Sequence, residues 1–294
     1  MDLLAGSTYL ERGSPATLLY KDVDGTLYII DPGQGEDRPR RLKRDVEQLR
    51  PARVVAVLTH YHSDHLEALG RFAVDAVAAP ARDAPMVRYP ELRIYDTFGY
   101  PLPRDDSSLP FKTPAVSVSE EIPEGATAYG PLSVYPLPGH TEGHTGYMSR
   151  DGVLYVGDAV FGDRVIARYG FPYHRQPCRS LETLRRLGDL ASRADRVVMS
   201  HGPLVKGGDV GPLVELNAQS LSRLEDLVRD LLSSPATLEE VTLGVLSKIS
   251  IQELTVDVVM LLQETVKGFI GCMRERGEVE PLVGAKGLMW KRVA

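Results

Sequence analysis

The chain has 294 residues, 43% hydrophobic and 25% charged, with 40 acidic against 34 basic side chains and a formal net charge of -6. That balance describes a globular protein with room for one large domain, or a large one and a small one. It argues against a broad nucleic-acid-binding surface, which needs clustered Lys and Arg, while leaving room for a local basic groove. No apolar run reaches the ~20 residues that a membrane-spanning helix requires. The opening MDLLAGSTYLERGSP lacks the basic start, apolar stretch and cleavage site of a secretory signal, so the cytoplasm is the expected compartment. Cys178 and Cys272 lie far apart without metal-type spacing and are expected as free thiols.

Taken in chain order, five short apolar runs rich in β-branched residues each stop at a His or Asp: residues 26–31 (TLYIID), 54–60 (VVAVLTH), 132–140 (LSVYPLPGH), 153–158 (VLYVGD) and 197–201 (VVMSH). Two of them follow the pairs Asp24-Gly25 and Asp151-Gly152, which are hairpin turns because both residue types tolerate positive φ. Helices are predicted over residues 40–48, 65–72 and 181–190. The stretch 76–124, rich in Pro, Asp and Arg, gives no clear pattern. The first two thirds of the chain therefore read as an α/β unit whose polar residues gather at strand ends, where a rigid sheet edge can present them together.

After Gly211 the pattern changes. Residues 212–232 carry apolar positions at helical spacing, Thr237-Leu238-Glu239-Glu240 is a capping box, and a longer helix is predicted over residues 253–276. Gly277 stops it, and strand-like segments 278–283 and 288–293 flank a glycine turn at residues 284–287. Three helices and a hairpin resemble a winged-helix module, giving expected units of 1–211 and 212–294.

Two clusters hold five of the seven histidines. His60, His62, Asp64 and His65 form the pattern HxHxDH directly after a strand. Imidazole nitrogens and a carboxylate are the donors a borderline ion such as zinc accepts, and alternating positions in an extended turn aim several of them to one side. The second cluster, Pro138-Gly139-His140-Thr141-Glu142-Gly143-His144, has glycines for a sharp turn. There His140 reads as a ligand, and His144 as a residue that packs beneath it and orients the loop. Asp158 and His201, each at a strand end, complete the set. Tyr173, His174 and Arg175, like Arg82, Arg88, Arg93 and Arg104, read as surface loop rather than cleft wall.

The order HxHxDH, PGHTxGH, GD, HGP over residues 20–205 resembles the metallo-β-lactamase superfamily. The resemblance implies an αββα sandwich with two divalent ions at one edge: zinc first, manganese or iron as the other candidates. It implies that His60, His62 and His140 hold one ion, that Asp64, His65 and His201 hold the other, and that Asp158 bridges them. Asp31, in IDPG, would orient the ligands. His62 stands where the flavodiiron oxidoreductases carry Glu, which favours hydrolysis over redox chemistry. His65 replaces the Arg, and Asp158 the Cys, of the common antibiotic-degrading subclass. The C-terminal part is similar to the module of the β-lactamase-like endoribonuclease branch.

The expected function is hydrolysis of a small ester, thioester or related acyl bond, with Asp64 both binding metal and orienting the attacking water. RNA phosphodiester hydrolysis ranks second, and a non-enzymatic metal-stabilised scaffold that binds nucleic acid or protein ranks third. A small-molecule substrate is the expected partner, no membrane is involved, and homo-oligomerisation is compatible with the sequence.

Overall fold

The computed structural model describes residues 1–98 and 114–293. Strands β1 (Asp2–Ala5), β2 (Thr8–Glu11), β3 (Thr17–Lys21) and β4 (Thr26–Ile30) run as an antiparallel meander, with the tight turn at Asp24-Gly25 between the last two. Helix α1 (Arg38–Leu49) crosses to β5 (Arg53–Val57), which lies parallel to β4. Helix α2 (Ser63–Leu66) leads into a 3₁₀ turn, Glu67–Gly70, and on to β6 (Ala76–Pro80). Helices α3 (Ala84–Arg88) and α4 (Pro90–Phe98) precede β7 (Glu120–Ile122), and β5, β6 and β7 are parallel. A second sheet of six strands holds β8 (Ala128–Tyr129), β9 (Leu132–Pro136), β10 (Thr145–Met148), β11 (Val153–Tyr155), β12 (Arg196–Val198) and β13 (Leu204–Lys206). Helices α5 (Asp163–Tyr169) and α6 (Pro177–Ala191) join β11 to β12.

The period-2 alternation of the strands places the layers. Leu18, Tyr28, Ile30, Val55 and Val57 face inward and meet Val134, Tyr147, Tyr155 and Val198 of the second sheet in one buried cluster. Their neighbours Leu19, Leu27 and Ile29 face outward against Leu42 and Val46 of α1. Ala56, Leu58 and Val77 do the same against Leu66, Ala84 and Val87. The outer face of the second sheet, through Leu154, Val197 and Met199, packs on Leu184 and Leu187 of α6. The result is the αββα sandwich. Two tyrosine hydroxyls stitch the inner faces together: Tyr147 donates to the Leu58 carbonyl at 2.8 Å and Tyr155 to the Ala16 carbonyl at 2.7 Å.

Helices α7 (Gly211–Leu231), α8 (Leu238–Leu246) and α9 (Val256–Glu275) follow, and then a hairpin of β14 (Val279–Gly284) and β15 (Gly287–Arg292). The capping box forms as the sequence predicts. Thr237 Oγ1 accepts from the Glu240 amide, and the Glu240 carboxylate accepts from the Thr237 amide. Leu221, Leu224, Leu262 and Phe269 join the same buried cluster as α6 and the second sheet. Among the described residues no helix is long and apolar enough to cross a membrane.

Two expectations are corrected. The single helix predicted over residues 65–72 is instead a short α-turn and a 3₁₀ turn. Gly33 intervenes there, donating its amide to the His65 carbonyl and accepting from the Ala68 amide at 2.9 Å each, so tertiary contacts divert the bonds a continuous helix would use. The cysteines are not free thiols: Cys178 on α6 and Cys272 on α9 form a disulfide across 94 residues of chain. Their spacing carried no signal because the helix packing, not the sequence interval, brings them together.

This bond ties the sandwich to the C-terminal helices and restricts the unfolded chain. Replacing both cysteines with serine, or reducing the wild type, should lower the unfolding free energy by about 2–4 kcal/mol in denaturant titrations. Metal binding should be nearly unchanged in the same variant, because neither sulfur lies in the histidine cluster. Identical midpoints for oxidised, reduced and doubly substituted protein would contradict a bridged native state.

Candidate metal centre

The strand directions explain why the polar residues meet. β4 and β5 run parallel, so Asp31 and His60, just beyond their C-terminal ends, emerge on one edge. In the second sheet β11 and β12 are parallel, and β9 points the same way because it is antiparallel to β10, which is antiparallel to β11. His140, Asp158 and His201 therefore leave the second sheet at its matching edge. Packing the two sheets brings the edges together.

His60, His65, His140 and His201 are each held on one ring nitrogen and present the other. Asp31, buried and held at φ 50°, accepts from the Thr59 amide at 2.8 Å and the Thr59 hydroxyl at 2.7 Å, and its Oδ2 lies 2.7 Å from His65 Nδ1. Since the Thr59 hydroxyl proton goes to Asp31, Thr59 Oγ1 receives His60 Nδ1–H at 2.8 Å. That leaves His60 Nε2 as a bare lone pair. His140 Nδ1 donates to the Tyr173 carbonyl at 2.8 Å, which frees its Nε2 in the same way. Ser14 Oγ lies 2.7 Å from His201 Nδ1.

The free nitrogens converge in two groups. His62 Nδ1 sits 2.9 Å from His60 Nε2 and 2.8 Å from His140 Nε2. Asp64, His65 and His201 form the second group, with Asp64 Oδ2 3.0 Å from His201 Nε2 and 3.5 Å from His65 Nε2. Within each group the donor atoms lie within 4.8 Å of one another, so each could hold a metal ion. Asp158 stands between them. Its Oδ2 is 3.2 Å from His140 Nε2 and its Oδ1 is 3.4 Å from His65 Nε2. All seven side chains named from the sequence are thus within one cluster. A third grouping, Asp31 with His60 and His65, is better read as support, because the Asp31 oxygens are already committed to Thr59 and His65.

The charges follow the burial. Burial, reinforced by the neighbouring histidines, holds His60 and His62 well below the ordinary imidazole range, so both stay neutral and ready to donate a lone pair. Burial also disfavours a charged His65, but Asp64, Asp158 and Asp31 outweigh it and raise that pKa well above normal. Asp64 and Asp158 remain ionised: against burial, the histidines around each bring its pKa down. His65 Nε2 and Asp158 Oδ1 are buried without a hydrogen-bond partner among the described residues. Two unsatisfied donor atoms facing each other at the centre fit a cation between them.

The loop supports are structural. Gly139, at φ +137°, lies so close to α6 that a Cβ would meet Ser180 backbone atoms at 2.6 Å. His144 Nε2 accepts the Asp158 amide at 3.0 Å, consistent with its expected orienting role, and burial with His140 nearby lowers its pKa to about 3. Gly157 leaves room for that ring, since a Cβ there would sit 2.6 Å from His144 Nε2.

Several contributors carried no sequence signal. Asp83 accepts from the Thr141 hydroxyl at 2.6 Å and the Gly143 amide at 2.9 Å, fixing the His140 loop, and burial raises it to about 6. Asn217 of α7, the only asparagine in the chain, clamps the loop after Asp158 by exchanging two hydrogen bonds with the Phe161 backbone. The 173–175 segment is not a surface loop. His174 is fully buried against His140 and Phe161, Tyr173 lines the cleft, and Arg175 lies 3.8 Å from Glu264. Arg82 and Arg88 are partly exposed and pair with Glu124, Glu142 and Glu121 as a surface reading implies, whereas Arg93 is buried. Arg104 lies outside the described residues. The cleft is a cavity of about 560 Å³ in front of the cluster, walled by Phe161, Tyr169, Phe171 and Tyr173 and, from α9, by Val258 and Leu261.

A sandwich of this topology with a histidine and aspartate cluster on its edge defines a class. The family model of the metallo-beta-lactamase superfamily matches residues 10–201, and the chain belongs to that superfamily. It is similar to the hydroxyacylglutathione hydrolase of Xanthomonas campestris pv. campestris, 29% identical over 168 residues, which is 57% of this chain and 53% of the relative. To the enzyme of the same description from Methylobacillus flagellatus it is 27% identical over 169 residues, 56% of this chain and 54% of that one. The chain thus spans about half the length of the curated relatives it matches. Among solved structures, a metallo-beta-lactamase family protein from Thermus thermophilus superposes with a TM-score of 0.66 at 23% identity, covering 98% of this chain and 99% of that one. A beta-lactamase domain protein from Burkholderia ambifaria gives 0.65 at 18%, covering 100% and 90%. At these identities the superpositions establish the fold.

His174 gives a pH test outside the ligand set. It is buried, both ring nitrogens lack a partner among the described residues, and burial depresses its pKa well below 6.5. A depressed folded pKa contributes stability that is present above the unfolded value and lost as pH falls. Chelator-treated wild type should therefore lose unfolding free energy between pH 6 and pH 4.5 more steeply than His174→Phe, by up to about 1.4 kcal/mol per pH unit. Parallel slopes in urea titrations would show that the ring is protonated in the fold.

Proposed function

We propose that the chain is a binuclear metal-dependent hydrolase acting on a small ester, thioester or related acyl bond. One observation carries this reading: two groups of three donor side chains share Asp158 between them, at the floor of a largely apolar cleft. His60, His62 and His140 would hold one ion, Asp64, His65 and His201 the other, with Asp158 reaching both. Nitrogen and carboxylate donors suit zinc first, then manganese or iron. Bound there, two cations would lower the pKa of a water toward neutrality and stabilise charge on the attacked carbonyl oxygen.

The protein's own groups do the rest. Asp64 is about a quarter exposed, unlike the fully buried His60 and His65, and it borders the cavity, which supports a role in orienting the attacking water and taking its proton. Asp31, Thr59, Tyr173 and Ser14 hold the imidazoles so that no reorganisation is needed during reaction. The walls of Phe161, Tyr169, Phe171, Val258 and Leu261 exclude bulk water and suit an acyl chain or an aliphatic thiol. A thiolate, with a thiol pKa near ~8.5, departs more readily than an alkoxide, which favours thioesters. The similarity to hydroxyacylglutathione hydrolases supports the same choice. We read residues 1–211 as the catalytic unit, and 212–294 as a winged-helix-like module that supplies the α9 wall of the cavity rather than an RNA-binding surface.

Elemental analysis of protein reconstituted with zinc or manganese should find up to about two ions per chain. His60→Ala, Asp64→Asn and Asp158→Asn should each lower thioester turnover by at least ~100-fold, since each removes a ligand or the proton acceptor. Protein that binds no metal would refute the site. Asp64-dependent cleavage of single-stranded RNA, with no turnover of any small ester or thioester, would establish the phosphodiesterase reading in its place.

A further inference from the structure

The hydrolase reading names a bond but not what else the substrate carries. Arg93, on α4, borders the cavity while only 7% exposed. Its Nη1 donates to the Tyr61 carbonyl at 3.2 Å, which places the guanidinium against the residue between His60 and His62. Its Nη2 has no hydrogen-bond partner among the described residues, nor does any carboxylate among them form an ion pair with it. Burial lowers its pKa to about 10, against the opposing influence of Tyr61 and Glu91, so it stays charged at neutral pH.

A buried cation without a counter-charge is a large penalty for a fold to carry. Arg38, also buried and also without a carboxylate partner, gives both of its terminal nitrogens to Thr17 Oγ1 and the Pro15 carbonyl at 2.7 Å each, and the more exposed Arg82, Arg88 and Arg168 have carboxylate partners. Among the described residues, only beside the reaction site is a buried terminal guanidinium nitrogen left over. The carboxylates nearest in function, Asp64 and Asp158, are already engaged by His65, His140 and His201.

Resting on the hydrolase reading, we propose that Arg93 is a specificity-determining residue that binds an anionic group of the substrate, a carboxylate or a phosphate, so that the preferred substrate is an acyl ester or thioester with a negative charge near the scissile bond. The planar guanidinium, held at Nη1 by the Tyr61 carbonyl, leaves Nη2 to donate to an anionic oxygen. The apolar wall across the cavity takes the uncharged part of the molecule.

The test has two arms. In the first, chelator-treated wild type and Arg93→Met are melted in acetate, inorganic phosphate or chloride at matched ionic strength. Acetate or phosphate should raise the wild-type melting temperature above its value in chloride and leave Arg93→Met unmoved, because only the wild type offers the anion a site. In the second, metal-loaded protein is assayed with three S-acetyl thioesters whose thiols are 3-mercaptopropionate, 2-mercaptoethyl phosphate and 2-mercaptoethanol. The wild type should favour an anionic thiol over the neutral one through KM. Arg93→Met should lower that preference about ten- to a hundredfold, and Arg93→Lys should restore part of it. The larger loss, on carboxylate or phosphate, names the anion.

A residue that only held the Tyr61 carbonyl would, when replaced, depress all three thioesters together and leave the ratio intact. That result, or equal anion effects on the melting of both proteins, overturns the proposal. If the wild type hydrolyses none of the three, the hydrolase reading fails, and the melting arm still decides the anion site.

Discussion

The histidine and aspartate cluster is organised around Asp31. Its carboxylate, fully buried at the end of β4, fixes the Thr59 amide and hydroxyl and the outer nitrogen of His65. Through the Thr59 hydroxyl it also decides which nitrogen of His60 carries the proton. Two histidines are therefore held in one orientation from a single charge, and His60 in one tautomer. The backbone bears a cost for this, since Asp31 sits at a positive φ that few non-glycine residues adopt.

The same logic repeats around the cluster. Backbone carbonyls, hydroxyls and a second buried carboxylate, Asp83, hold the outer sides of His140 and His201 or the loop of His140, so the inner sides of these rings face the rest of the cluster. Concentrating imidazoles and ionised carboxylates in a water-poor space is unfavourable on its own. It persists because the two sheets, packed through Tyr147, Tyr155 and the aliphatic core, over-determine where every strand ends. The apolar core thus provides the stability from which this strained arrangement of donors draws.

The C-terminal helices border the site although none of the seven clustered side chains lies on them. Asn217 of α7 holds the loop after Asp158, and α9 contributes Val258 and Leu261 to the cavity wall. The Cys178–Cys272 bond ties α9 to α6, beside the segment that positions His140 and His174. The cavity is therefore walled jointly by the sandwich and these helices.

The sequence by itself determined the strand-end pattern and the seven clustered side chains, and the resemblance of its motifs implied the layer order. Hydrophobic alternation and ligand type are local properties, legible wherever His60, His62, Asp64 and His65 follow VVAVLT within a few residues. The capping box at Thr237 and the Asp-Gly turns were legible for the same reason. Only the tertiary structure decided what depends on distant contacts. The pairing of two cysteines 94 residues apart, the burial of His174 in what reads as a loop, the diversion of a helix at Gly33, and the isolation of Arg93 beside Tyr61 all arise from elements that meet only after folding. A residue's charge can be read from its letter, but its counter-charge and its exposure to water are properties of its neighbours, and those the packing supplies.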